Sequence, residues 1–385
     1  MKKAKALGIV LLVLGIYVSL CSSAWAQTVS SIPMQNPSLY KGVRPLGMGN
    51  AFVAMPGSDE NAPFYNPAAI NDYPKKLHFR LLSPVIDFSP SVIGLTKDVL
   101  DLGKKINGET TTSAKVDDFR AFVDAHTGEF ESIDVRLPLV QVQHRWFSAS
   151  VLADSRTSFA FRNRSFTNLD LLSISDVGGT LGAARSFLEG RLQTGLNVKV
   201  LHRIAVDKIV TTADIINNAK FKDTLPINRG TGVGFDIGFK GSIPTFGKSW
   251  LNSLKPTAGF TWQDVGNTRF SGLAPNTPQS ITIGLAVHPE WGKWTFHVAN
   301  DFRELNQDSP FLTKWHIGAE AVAPKIWKIF RPSFRVGGNQ AYISGGASLD
   351  FKYAKLEFAT YAEDVGKVIR EKPLRRIAAN LSFGF

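Results

Sequence analysis

Residues 375–385 read RRIAANLSFGF, and from Ile377 every second residue is apolar: Ile377, Ala379, Leu381, Phe383 and Phe385. Ala378, Asn380, Ser382 and Gly384 fall between them. Successive side chains of a strand point to opposite faces, so the stretch has one apolar and one mild face. A soluble sandwich gives such a strand one core side and one wet side. A transmembrane barrel gives it lipid on one side and lumen on the other, as the closing strand. The alternation runs on to an aromatic at the last residue, where soluble domains usually fray into polar ones, and this favours the barrel.

The other end agrees. Lys2, Lys3 and Lys5 precede the apolar run ALGIVLLVLGIYVSL, and Ala24-Trp25-Ala26 follows before Gln27. A basic start, a short apolar core and a small-x-small site make a secretory signal peptide over residues 1–26, cleaved near Ala26. A lipoprotein signal on Cys21 is the rival, but Leu20 stands where a small residue is needed. Cleavage after Ala26 removes the single cysteine, which excludes a disulfide-built secreted scaffold. Beyond the leader no apolar run reaches the 18 or so residues that a membrane helix needs. The formal charge of +12 suits an anionic outer surface or a basic lumen. It does not indicate nucleic acid, because no clustered Lys/Arg face with interleaved aromatics is present.

Alternation recurs along residues 77–385. In 232–240, Val233, Phe235, Ile237 and Phe239 oppose Gly232, Gly234, Asp236, Gly238 and Lys240. In 343–353, Ile343, Ala347, Leu349, Phe351 and Tyr353 oppose Ser344, Ser348, Asp350 and Lys352. A charge facing lipid at mid-membrane costs roughly 2–4 kcal/mol, so the charged parity is the lumen. That parity collects Lys199, Arg203, Asp301, Glu320, Arg335, Glu357 and Arg376, a mixed-charge interior. The pattern predicts about fourteen antiparallel strands, beginning at 77–90 with an interruption at Pro84 and ending at 374–385. Helical spacing appears at 97–107 and 116–126, and a further polar loop at 206–229. Long and short connections alternate, which puts the long ones outside and the tight turns in the periplasm.

Residues 27–76 do not alternate. They contain GVRPLGMGNAFVAMPGSDENAPFYNPAAI, residues 42–70, punctuated by glycine and proline as a folded loop-helix segment is. Gly47-Met48-Gly49, then Ala51-Phe52-Val53-Ala54, Asp59, and Asn66-Pro67-Ala68 resemble the N-terminal segment of FadL-type barrels. That superfamily includes long-chain fatty-acid transporters, TodX-like aromatic-hydrocarbon channels and PorV-like barrels attached to secretion systems. The resemblance covers about thirty residues. It implies an all-β fold, a transmembrane barrel of about 14 strands in the outer membrane of a Gram-negative bacterium. Residues 27–76 would form a plug, or hatch, within a barrel of residues 77–385.

The resemblance implies two functions. The first is transport of a hydrophobic small molecule, fatty-acid or hydrocarbon-like, captured by the outer loops and gated by the hatch. The second is a non-transporting barrel that docks proteins of a secretion or envelope machine. In the fatty-acid transporters a kink in the third strand opens the wall sideways. The third strand here, 147–162, carries Asp154-Ser155-Arg156-Thr157-Ser158 without an apolar residue on either parity, a candidate lateral gap; the alternative is a polar stretch at the outer interface. Leu381, Phe383 and Phe385 form the expected signal for the barrel assembly machinery. Arg375 and Arg376 would lie near lipopolysaccharide phosphates, with outer-membrane lipid around the wall.

Enzymatic chemistry has little support. His297 and His316 share lumen parity on neighbouring strands with Asp301 and Glu320, a pattern open to a metal or an acid–base pair but more typical of a hydrogen-bonded lumen. No HExxH, phosphate-binding glycine loop or Ser/His/Asp spacing occurs. No cofactor or metal is expected.

Overall fold

A computed structural model describes residues 39–57, 59–109, 111–163, 167–217, 225–365 and 373–384. Phe385 and the leader 1–26 lie outside the described residues, as do 27–38 of the hatch segment. The strands form one closed antiparallel barrel. In chain order they are β1 (His78–Leu81 with Val85–Phe88), β2 (Phe130–His144), β3 (Phe147–Asn163), β4 (Thr167–Phe187) and β5 (Leu192–Thr211). Then come β6 (Asn228–Ser242), β7 (Thr257–Gln263), β8 (Ser280–Val287), β9 (Trp294–Phe302) and β10 (Trp315–Val322). β11 (Phe330–Asn339), β12 (Tyr342–Phe351), β13 (Ala354–Asp364) and β14 (Pro373–Gly384) complete the wall. Counting the two halves of β1 as one strand gives the fourteen that the alternation predicts.

The interruption in β1 has a local cause. Leu82 adopts a positive φ of 48° ahead of Pro84, and the chain steps out of line between the two halves. A bulge in β2 between Pro138 and Val140 matches the step. Through it Leu82 N donates to Leu139 O and Ser83 N to Pro138 O, both at 2.9 Å. Both halves pair with β14, Leu81 with Phe383 and Phe88 with Ile377, so the stretch 375–384 is the closing strand.

Side-chain parity follows the sequence reading. Ile343, Leu349, Val233, Phe235, Leu381 and Phe383 are exposed on the outer face, while Asp236, Lys240, Ser344, Ser348 and Asn380 are buried on the inner face. The outer row is the lipid face, because charge there costs what no partner returns. Tight connections follow β2, β4, β8 and β12 at one end, the turn end; the two-residue turn Gln340-Ala341 between β11 and β12 lies at the other. The opposite, loop end carries α-helices Val92–Gly108, Thr112–Ala125 and Thr212–Asn217.

Two expectations need correction, besides that for Arg376, which is buried on the inner face beside Asp87 and away from lipopolysaccharide. The alternation suggests strands over 177–187 and 191–204, but β4 has 21 residues and β5 has 20, about twice a membrane crossing. Their upper parts lack the apolar alternation because they stand clear of lipid. There Phe161, Leu169 and Val210 pack under the two long loop helices through Phe119, Phe122, Val92 and Leu95. Phe122 meets Phe161 edge-on at 5.6 Å. The second correction concerns Asp154 to Ser158, which do not open the wall. Their ladder to β4 is unbroken from Phe147 to Asn163. Outward Ser155 and Thr157 share hydrogen bonds with Ser175 at 2.8 Å and Ser173 at 2.9 Å. Inward Asp154, Arg156 and Ser158 are buried, and the two charged groups sit among ion pairs. The backbone ladder runs through this polar stretch on both sides.

Candidate functional site

The lumen is occupied. Residues 39–73 are almost wholly buried within the barrel, built from short helices Val43–Gly47 and Ala62–Tyr65 and a 3-10 helix Pro67–Asp72. Proline and glycine keep each helix short, so the segment folds back on itself as a compact plug. Tyr40 meets Phe64 at 4.7 Å and Phe52 meets Tyr65 at 5.3 Å, giving the plug a small core of its own.

The two quoted motifs sit on opposite walls, each against glycines. Gly47-Met48-Gly49 lies on β10–β12. A Cβ at Gly318 would strike Met48 O, and one at Gly337 would strike the Met48–Gly49 peptide. Gly49 itself has a φ of +63° and faces the Ile317 and Gly338 carbonyls. Asn66-Pro67-Ala68 lies on β5–β6. Side chains at Gly195 and Gly238 would run into Pro67 and Asn66. Asn66 also ties the plug together and to the wall. Its Oδ1 accepts from Ala68 N at 3.0 Å, and its Nδ2 donates to Val53 O at 2.9 Å and to Phe239 O at 3.0 Å. An amide that both caps a 3-10 helix and bridges two carbonyls explains why asparagine leads the tripeptide.

Charged residues complete the attachment. Asp301 on β9 accepts from Phe52 N at 2.6 Å and Val53 N at 2.9 Å. Arg44 forks onto Glu320 at 3.0 and 2.5 Å and reaches Asp59 at 2.9 Å. Lys41 pairs with Glu363 at 2.8 Å, and Asp72 takes both Lys240 and Gln193, the latter at 2.6 Å. His316 Nδ1 lies 2.9 Å from Gly49 O. His297 instead faces His288, Nδ1 to Nδ1 at 2.9 Å. The register does bring His297 beside Glu320 and His316 beside Asp301, but His316, Asp301 and Glu320 all attach to the plug. No cluster of three metal-ligating side chains exists among the described residues. Lys240, Asp301 and Glu320 are legible from parity. Arg44 and Asp72 are not, since nothing in an irregular loop marks which way a side chain points.

Burial alone would push the Asp59 carboxyl up; Lys355 and Arg44 outweigh it and hold the group well below the ordinary carboxylate range. A depressed carboxylate stabilises the plug at every pH above its unfolded value and loses that contribution only in strong acid, as pH falls through the folded value. Susceptibility of the plug to protease should therefore stay flat from neutral pH down to about 4 as far as Asp59 is concerned. Asp59→Asn should make it rise by a similar amount across that range, the difference from the wild type fading only in strong acid.

Above the plug, towards the loop end, lies a tier of ion pairs. Asp176 takes Arg203 Nε at 2.7 Å and Arg156 Nη2 at 3.3 Å, while Asp154 accepts from Tyr40 N at 3.1 Å. Beyond this tier the inner wall turns apolar: Ala160, Leu172, Ile174 and Ala205 are buried together, with Phe130 packed on them. On the turn side of the plug a cavity of about 900 Å³ is lined by Pro56, Thr257, His288, His297 and Phe246.

The architecture has solved counterparts. The monoaromatic hydrocarbon channel CymD superposes with a TM-score of 0.50 at 11% identity, covering 89% of this chain and 96% of the channel. The chain has a FadL-type barrel fold. The Pseudomonas putida toluene transporter TodX aligns at 10% identity over 91% of this chain and 98% of its own, with a TM-score of 0.45. No protein-family profile matches the chain, and no curated protein matches it in sequence. The FadL-type fold is thus reached with almost no sequence in common, and at those identities it speaks for architecture alone.

Proposed function

We propose that this FadL-type barrel lies in the outer membrane and handles small hydrophobic molecules, taken up at the loop end. The observation that carries the reading is the apolar patch Phe130, Ala160, Leu172, Ile174 and Ala205 in an otherwise charged lumen, on the loop side of the plug. A buried apolar surface in a charged lumen contributes about 25 cal/mol per Å² to binding an apolar guest and nothing to passing ions. CymD and TodX, named as hydrocarbon channels or transporters, supply the analogy. In this reading residues 1–26 are a removed leader, 27–76 the hatch and 77–385 the barrel, with the turn end in the periplasm.

The test is binding of the fluorophore phenylnaphthylamine to the purified barrel. Ile174→Asp should weaken it about tenfold or more, from the lost apolar contact and the charge placed in its stead. Unchanged binding would overturn the proposal. A second reading, a barrel that docks secretion or envelope proteins, is favoured by the attachment of the plug on several sides by main-chain hydrogen bonds and ion pairs. It predicts no hydrophobic uptake into vesicles and a stable complex with a secreted protein.

A further inference from the structure

The charge surplus of the chain is unevenly placed. At the loop end, charges pair among themselves: Lys104 with Asp101 at 3.1 Å, His126 with Glu129 at 2.7 Å, Lys208 with Asp214 at 2.8 Å. In the lumen they pair with the plug and across strands. At the turn end, along the three consecutive connections 243–256, 288–293 and 323–329, Lys248, Lys293, Lys325 and Lys328 are exposed, and no carboxylate pairs with them among the described residues. Glu290, the acidic group of these connections, is held by Lys255 at 2.7 Å.

Aromatic side chains accompany those lysines. Phe246 is 90% exposed, Trp291 and Trp327 81% each. Phe246 lines the cavity below the plug, whereas the direction of Trp291 is fixed by register. Trp294 shares the outward parity of exposed Val298, and Trp291 is its cross-strand partner, so both rings project from the lipid side of the wall and not towards the pore axis. The same arrangement recurs elsewhere on this rim, where Lys352 Nζ stands 4.6 Å from the Tyr353 ring centre and the Arg185 guanidinium 6.0 Å from that of Phe187. Indole rings at the depth of the headgroups with ammonium groups just beyond them match an anionic phospholipid, whose glycerol region meets the ring and whose phosphate meets the cation.

We propose that this arc of the turn-end rim binds anionic phospholipid headgroups of the periplasmic leaflet, and so orients and anchors the barrel from below. The inference rests on the transmembrane reading with turns in the periplasm. Charge complementarity and continuity with the lipid-facing belt favour lipid over an acidic protein, which would be met by rings turned to the axis or the water.

The test reconstitutes the full chain in nanodiscs of equimolar phosphatidylcholine and phosphatidylglycerol, then counts by native mass spectrometry the lipids retained on transfer to detergent. The wild type should retain phosphatidylglycerol preferentially. The variant K248Q/K325Q/K328Q should lose about tenfold of that preference, and raising the salt should erode it in the wild type without any substitution. Equal retention of both lipids by the wild type, or a preference untouched by both the variant and salt, would overturn the proposal and leave the rim to an acidic protein. Failure to insert into either lipid would instead overturn the transmembrane reading beneath it.

Discussion

Asp87→Ala should cost the barrel about 3–5 kcal/mol, the largest loss expected from a single side chain. Asp87 is fully buried on β1, beside the closure with β14. Its carboxylate accepts from Arg136 of β2 through both Nη atoms at 3.1 Å, from Arg376 Nε of β14 at 2.8 Å, and from the Tyr361 hydroxyl of β13 at 2.6 Å. Asp134 receives Arg376 at 2.9 Å and Arg136 at 2.6 Å, so two guanidinium groups share two carboxylates. Taking Asp87 away leaves both buried guanidinium groups on Asp134, with Glu363 3.8 Å from Arg376 as the nearest further carboxylate. Asp87→Asn keeps the shape but not the charge and should cost less. The measurement is the temperature at which the compact, heat-modifiable form is lost on a gel. A variant that opens at the wild-type temperature would show that the cluster does not hold the seam.

Gly49→Val should dislodge the plug while sparing the wall. Its φ of +63° already disfavours a branched residue, and a Cβ there would overlap the Ile317 and Gly338 carbonyls of β10 and β11. Strain and collision together exceed a few kcal/mol, more than the neighbouring Gly49 O contact to His316 can offset. The barrel has its own ladder and should still fold. The expected outcome is a folded band on the gel, new protease cuts between residues 39 and 73, and an ion conductance in planar bilayers that the wild type lacks. A silent bilayer with an intact plug would contradict the packing described for the glycine motif.

The wall was legible in the sequence because lipid imposes a period. Outside and inside are so different in cost that Val233 to Lys240, or Ile343 to Lys352, show their faces without a structure. The legibility stops where lipid stops: the upper halves of β4 and β5, wrapped by helices, lose the alternation and escaped it. Asp154 to Ser158 misled for a related reason. Polarity on both parities signals a break only if the groups lack partners, and partners on another strand are invisible from one strand. The plug motifs could be recognised from Gly47 to Ala68, yet their receptors, Gly195, Gly238, Gly318 and Gly337, are scattered singly among strands. Each becomes meaningful only beside the backbone it admits. The apolar patch above the plug is likewise made of one or two residues per strand.

The glycine grooves bear on how this molecule is made. Main chain seated in recesses on two opposite walls, with Asn66 bridging and Asp301 gripping, is a dovetail and not a cork. A wall that wraps around an already placed N-terminal segment, with β14 meeting β1 last, would seat such a piece without sliding it past those recesses. Order of synthesis suits this sequence of events, since the segment that needs to be enclosed precedes every strand that encloses it.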